Sequence, residues 1–190
     1  MLARLFSSSK RSFSSLSEQE ILALAISSEE DDARIYLAYA DQLREQYPQS
    51  AKVFEDMAEV EHTHRNQLIE MHRQRFGERI PLIRREHVSG FYDRKPDWLR
   101  AQQSLEQIRA EAEAMEQGAY RFYIAAAQRT SDASTRKLLG DLALAEEGHE
   151  EIASMLGERH TPEEVKAEED AGAHRQFLLT WVQPGLAGLM

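Results

Sequence analysis

The chain has 190 residues, of which 42% are hydrophobic and 29% charged, enough for one domain with a continuous core and too polar for a multi-span membrane protein. Lys plus Arg is 23 against 33 Asp plus Glu, a net charge of -10, which argues against nucleic acid as a partner because a phosphate backbone selects net positive surfaces. There is no cysteine, so disulfides, thiolate zinc sites, iron–sulfur clusters and cysteine nucleophiles are excluded, and any metal must be held by carboxylate and imidazole.

Residues 1–17 are rich in Ser, carry Arg4, Lys10 and Arg11, and contain no acidic residue. Such a composition suits an organellar transit peptide or a flexible N-terminal tail; the apolar part is too short for a secretory core, and we read residues 1–17 as a tail. From about Glu18 to Gln46, Leu22, Ala25, Ile26, Ala33, Tyr36, Ala40 and Leu43 recur at three and four, one face of a helix, which Pro48 ends. A second helix is expected from about Ser50 to Phe76 on Phe54, Met57, Leu68 and Met71. A third is expected from about Leu99 to Gln128 on Leu105, Ile108, Ala112, Ala119, Tyr123 and Ala126, and a fourth from about Ala133 to Leu156 on Leu139, Leu142, Ala153 and Leu156. Each would be about 35 to 45 Å long, and no stretch alternates as a strand does.

The connection from about Gly77 to Pro96 is longer than a bundle turn requires and can cross the whole bundle. Four helices with one long central crossover is the ferritin-like all-α topology. A fifth helix is expected from Thr161, with Pro162 at its first position and Glu164 completing a capping box. The domain reading is therefore 1–17 tail, 18–160 four-helix bundle, and 161–190 C-terminal helix running into an apolar stretch. That stretch, FLLTWVQPGLAGLM, is shorter than the roughly 20 apolar residues a membrane helix needs. It either packs back on the domain or is the first part of a membrane segment.

The apolar stripes are interrupted at matching places. Glu29 lies in line with Ala25, Ile26, Ala33 and Tyr36; Glu116 lies among Ala112, Ala119 and Tyr123. The second stripe contains Glu61 and His64, and the fourth Glu146 and His149. Four carboxylates and two imidazoles thus point inward from four helices, which is costly unless a cation neutralises them. Glu and His at i and i+3 share one helix face, where both reach one side of a metal. The two Glu-xx-His pairs are 85 residues apart, and the two Glu-x6-Tyr pairs, Glu29–Tyr36 and Glu116–Tyr123, are 87 apart, so the chain is a duplicated helix pair. One Glu from each of two helices and Glu-xx-His from each of two others is the known di-iron and di-manganese carboxylate arrangement of ferritin-like proteins. This ligand set suits iron or manganese, and zinc binds it by raw affinity.

Other candidates are weaker. Glu59-xx-His62 repeats the spacing, but its helical neighbours Glu55, Arg65 and Asn66 are polar. Glu30 competes with Glu29 for the first-helix position, yet the duplication sets Glu30 against Gln117. Glu147, Glu150 and Glu151 read as solvated, or as one side of an iron entrance. His72, His87, His160 and His174 have no partner at ligand spacing. Tyr36 and Tyr123 either fill the core or stand beside the metals. The acidic run Glu163, Glu164, Glu168, Glu169 and Asp170 is a solvated helix face or a path that concentrates cations.

The segments SSEEDDARIY, MAEVEHTH, AMEQGAYRFY and LALAEEGHEE resemble the rubrerythrin branch of the ferritin-like superfamily, over about Glu18 to Leu156. The resemblance implies two iron ions per chain, with Glu61 and Glu146 bridging, Glu29 and Glu116 terminal, and His64 and His149 on one iron each. It implies ferrous and ferric iron with oxygen or peroxide as reactants, and ferroxidase or peroxidase activity. Rubrerythrins usually have a further Glu one turn after the third-helix ligand, where this chain has Ala119, which puts ligand exchange on redox change in doubt. They often carry a four-cysteine rubredoxin module, which this chain lacks. The opening SLSEQEILALAIS and the ending HRQFLLTWVQPGLAGLM are similar to membrane-bound ferritin of the erythrin and vacuolar iron transporter family. That similarity implies the soluble part of an iron exporter, on the cytoplasmic side of a bacterial inner membrane, followed by a transporter domain. A homodimer is expected, with Phe177, Leu178, Trp181 and Val182 as an apolar strip.

Overall fold

The computed structural model describes residues 10–89 and 103–158, together with positions 163, 166 and 167; within it, side chains 150–158 are not described. The described elements are β1 (Arg11–Ser12), α1 (Glu18–Leu43), α2 (Pro48–Phe76), β2 (Val88–Ser89), α3 (Leu105–Arg129) and α4 (Ala133–Glu158), with single 3-10 turns at Phe13–Ser15 and Arg85–His87. The fold is all-α, a ferritin-like four-helix bundle.

Local chemistry sets the helix ends. Ser17 caps α1 in a reciprocal capping box with Glu20, and Ser104 caps α3 in the same way with Gln107. Asp132 accepts the Thr135 N–H at 2.8 Å ahead of α4. Pro48 opens α2 at its first turn, where a missing N–H costs nothing. The expectation that Pro48 closes the first helix is thereby corrected: α1 stops at Leu43, and residues 44–47 turn the chain. Gly77 ends α2 with φ +80°, a conformation glycine adopts without strain. The third helix starts at Leu105 rather than near Leu99, because Ser104 and Gln107 make its cap there.

Contacts at the helix ends fix the topology. Glu18 pairs with Arg75, Arg75 donates to Thr135 Oγ1 at 3.0 Å, and Arg129 donates to the Leu16 carbonyl at 3.2 Å, all at one end of the bundle. At the other end Arg44 meets Glu55 at 2.7 Å, and the Gln103 N–H donates to Gln42 Oε1 at 3.2 Å. α1 is therefore antiparallel to α2 and α3, and α4 is antiparallel to α2. The end of α2 and the start of α3 lie at opposite ends of the bundle, so the two points that residues 77–104 connect are separated by the length of helices about 40 Å long. The long crossover follows from this polarity.

The N-terminal segment departs from expectation where it is described. Residues 10–17 are not a loose tail: β1 pairs in parallel with β2 of the crossover, Arg11 opposite Val88 and Ser12 opposite Ser89. Phe13 and Leu16 are buried, and Phe13 meets Phe122 edge-on at 5.9 Å. Apolar area, which a Ser-rich composition conceals, holds this segment down. Residues 1–9, the fifth helix and the apolar C-terminal stretch lie outside the described residues, apart from positions 163, 166 and 167. Among the described residues no helix is long and apolar enough to cross a membrane.

Two apolar clusters fill the bundle. One gathers Phe13, Leu22, Leu68, Phe122 and Leu139; the other gathers Tyr39, Phe54, Met57, Ile108 and Met115. The crossover clamps α1 beside the first cluster, where Ile83 and Val88 are buried and Arg85 donates to the Ser28 carbonyl at 2.6 Å and to the Asp32 carboxylate. Burial pushes Asp32 up to about 6 against the opposing pull of the Arg85 guanidinium. Arg85→Met is expected to cost about 3 kcal/mol in urea melts at pH 8, because it strands a buried charge. The cost should shrink at pH 5, where Asp32 takes up a proton, and Arg85→Met with Asp32→Leu should recover most of it.

Candidate metal centre

Between the two apolar clusters lies a layer of ionisable groups. Glu29, Glu61 and Glu146 are each 2% exposed and Glu116 1%, His64 is buried, and His149 is half-buried. They come from the middles of four helices, where every backbone group is already paired within its helix, so the side chains alone define the chemistry.

The geometry divides into two sets that share two members. One ligand atom from each of Glu29, Glu61, His64 and Glu146 lies within 4.8 Å of the others, and the same holds for Glu61, Glu116, Glu146 and His149. His64 Nδ1 is 3.3 Å from Glu61 Oε2, 3.4 Å from Glu146 Oε1 and 3.5 Å from Glu29 Oε2. His149 Nδ1 is 3.5 Å from Glu116 Oε2, 3.8 Å from Glu61 Oε1 and 4.0 Å from Glu146 Oε2. Glu61 and Glu146 therefore each present one oxygen to His64 and the other to His149. The two rings stand 6.0 Å apart and 21° from parallel.

The terminal carboxylates are held by tyrosines from the opposite half of the duplication. The Tyr36 hydroxyl of α1 donates to Glu116 Oε1 of α3, and the Tyr123 hydroxyl of α3 donates to Glu29 Oε1 of α1. Each clamp occupies one oxygen and leaves the other. Glu29 Oε2, Glu116 Oε2, Glu146 Oε1 and His149 Nδ1 are buried and make no hydrogen bond. Buried polar atoms are almost always satisfied. Orphaned acceptors converging from three helices fit a cation.

Electrostatics agree. Burial, then the neighbouring charges of Glu146 and Glu29, hold Glu61 well above the ordinary carboxylate value; burial, then Glu116 and Glu29, do the same for Glu146. For Glu29 and Glu116, burial pushes upward but the adjacent imidazoles, His64 and His149, and the tyrosine hydroxyls outweigh it, and both end below the ordinary value. Burial lowers His64, yet Glu29 and Glu61 raise it to about 10. Without metal the layer thus stores protons on Glu61, Glu146 and His64.

All six residues named from the sequence are brought together. Glu30 is turned outward and pairs with Arg34; Glu59 and Glu147 are exposed, and His62 is half-buried outside both sets. His72 is fully buried against Phe76 at 5.5 Å, one helical turn and more from the layer. His87 Nδ1 accepts the Arg84 N–H at 3.2 Å. His160, His174 and the side chains of Glu150 and Glu151 lie outside the description. Sequence reasoning missed Asp32, a further buried carboxylate one turn beyond Glu29. Its signal was present: Asp32 follows Glu29 at i+3 on the face of Ala33 and Tyr36.

The metal-free protein should lose stability as pH rises. Glu61 and Glu146 have folded values above their unfolded ones, so their contribution is full below about 4.5 and fades as pH climbs. The His64 contribution is full below about 6.5 and is lost as pH passes about 10. Glu146→Gln replaces a carboxyl that folding forces to hold a proton with a permanently neutral amide, and should raise the melting temperature of the metal-free protein at pH 8 and flatten the alkaline slope, as scanning calorimetry would show.

A search of curated, characterised sequences finds no match. Among solved structures, the fold resembles "Hypothetical Protein Pfu-1136390-001" from Pyrococcus furiosus, with a TM-score of 0.64 and 21% identity over 77% of this chain and 91% of that one. The family profile described as Rubrerythrin matches residues 20–157, which spans all four helices and every residue of the buried layer. The chain belongs to the rubrerythrin family.

Proposed function

We propose that the chain binds two iron ions in its buried layer and serves to capture ferrous iron and pass its electrons to dioxygen or peroxide. The division of the Glu61 and Glu146 oxygens between His64 and His149 carries this reading, because two cations that share two carboxylates require that division. Glu29, Glu61, His64 and Glu146 would hold one ion, and Glu61, Glu116, Glu146 and His149 the other. Manganese or zinc would fit the same donors. Bound iron would supply the one-electron redox chemistry.

The protein's own part is to position and to exchange protons. Tyr36 and Tyr123 fix Glu116 and Glu29 through one oxygen each and leave the second oxygen to the cation. Near-complete burial keeps water away and strengthens each charge interaction. Protons on Glu61, Glu146 and His64 must leave as a cation enters, which couples affinity to pH.

The similarity of HRQFLLTWVQPGLAGLM to membrane-bound ferritin supports a narrower setting: the cytoplasmic side of a bacterial inner membrane, loading a fused iron exporter. A free-standing rubrerythrin-like peroxidase or ferroxidase would use the same layer and is equally compatible with the family match. Loss of iron export with Glu61→Ala and Glu146→Ala in cells would support the exporter, and unaltered export would remove it. A homodimer is part of the same proposal, and sedimentation should give about twice the chain mass.

Anaerobic ferrous titration is expected to find about two ions per chain, with protons released and affinity rising between about pH 6 and 8. Glu146→Ala should weaken both sites together, because that carboxylate belongs to both sets. Undiminished binding by this variant would overturn the assignment.

A further inference from the structure

The two halves of the duplication are not equivalent around the layer. Tyr36 of α1 clamps Glu116, a member of the set that includes His149, and beyond it the rings continue: Tyr36 stacks on Phe54 at 5.9 Å and 25°, and Phe54 meets Tyr39 edge-on at 5.6 Å. The Tyr39 hydroxyl donates to Glu111 Oε2 at 2.9 Å, and Gln103 Nε2 donates to the same oxygen at 2.8 Å. Glu111 and Gln103 are half-buried, and Gln103 lines a surface cleft of about 460 Å³ with Gln42 and Tyr47. The positions that match Tyr39, Phe54 and Glu111 in the other half are Ala126, Leu139 and Leu24, all three fully buried in the opposite apolar cluster. On that side Tyr123 meets Phe122 edge-on at 5.3 Å, and Phe122 meets Phe13 at 5.9 Å.

Bulk alone does not account for this difference. Leu and Ala fill the matching space, whereas the first half supplies a second phenol and a carboxylate placed to take its proton. A tyrosine is oxidised readily only when its phenolic proton has an acceptor at hydrogen-bond distance, and both Tyr36 and Tyr39 have one.

We propose that Tyr36, Phe54 and Tyr39 form a relay that carries single oxidising equivalents from the buried layer to the surface at Glu111, where an ene-diol reductant quenches them. The proposal rests on the iron reading above. Hydrogen peroxide takes up two electrons and two protons to become two waters. Bound ferrous iron would supply one electron and Tyr36 the other; the Tyr36 phenolic proton passes to Glu116 Oε1, and the two protons that complete the waters are taken from solvent. An electron then moves from Tyr39 by way of Phe54; Tyr36 takes its proton back, and the Tyr39 proton goes to Glu111 Oε2. The ene-diol returns one electron to Tyr39, and Glu111 returns the proton. Tyr39 is a relay residue and touches neither iron nor peroxide.

The test is rapid-freeze electron paramagnetic resonance of the chain, loaded with one ferrous equivalent and mixed with hydrogen peroxide, with and without ascorbate. A tyrosyl signal that ascorbate discharges is expected. Tyr39→Phe and Phe54→Leu, the latter copying Leu139, should keep the signal on Tyr36 and slow its discharge by ascorbate about tenfold, whereas Tyr120→Phe should not. Replacing Tyr39 with 3,5-difluorotyrosine should add fluorine splitting, a readout that a merely structural hydroxyl would not give. A chain that binds iron and consumes peroxide without a tyrosyl signal, or whose discharge is unchanged in Tyr39→Phe, overturns the relay and leaves the iron reading standing. A chain that binds no iron overturns both.

Discussion

Four carboxylates within ion-pair distance of two imidazoles, in the interior of a helix bundle, impose the condition that the remaining structure has to meet. Unneutralised, such charges would repel one another at low dielectric and open the bundle. The chain meets the condition in layers. Long helices place the six groups far from any frayed end, apolar clusters close over them on both sides, and two tyrosine hydroxyls each satisfy one oxygen of a terminal carboxylate. Protonation of Glu61 and Glu146 and a charged His64 cover the interval before a cation arrives.

Much of this is legible in the sequence because helical period is a strong signal. Once Leu22, Ala25, Ala33 and Tyr36 define an inward face, Glu29 on that face has to be buried, and the same logic fixes Glu61, His64, Glu116, Glu146 and His149. The duplication removes the ambiguity between Glu29 and Glu30. Cross-helix partners are a different matter. The seven-residue spacing of Glu and Tyr is plain, but on one helix it hides that Tyr36 serves Glu116 and Tyr123 serves Glu29, since spacing says nothing about which neighbour a side chain meets.

Short segments without a period were the least legible. Residues 10–17 look like a polar tail because Phe13 and Leu16 are only two apolar residues among serines, and their value depends on the groove that receives them. The crossover hides its function in the same way. Arg85 reads as one of many surface arginines, yet it is the partner that lets α1 carry a second buried carboxylate next to the layer of ionisable groups. A pairing between residues 53 positions apart leaves no local trace.

The crossed tyrosine clamps and the shared carboxylates have an evolutionary reading. A single helical hairpin of this kind owns one terminal Glu, one Tyr and one Glu-xx-His, but its ligand set takes a carboxylate from elsewhere, and its terminal Glu takes a foreign hydroxyl. Such a hairpin is complete only against a copy of itself, across a twofold axis that passes between the two ligand sets. This chain is that pair made continuous by the crossover. Fusion secures equal amounts of both halves and also releases them from identity, for a substitution in one hairpin no longer has to be tolerated in the other. Tyr39 and Phe54 facing Ala126 and Leu139 at matching positions are the visible result of that release.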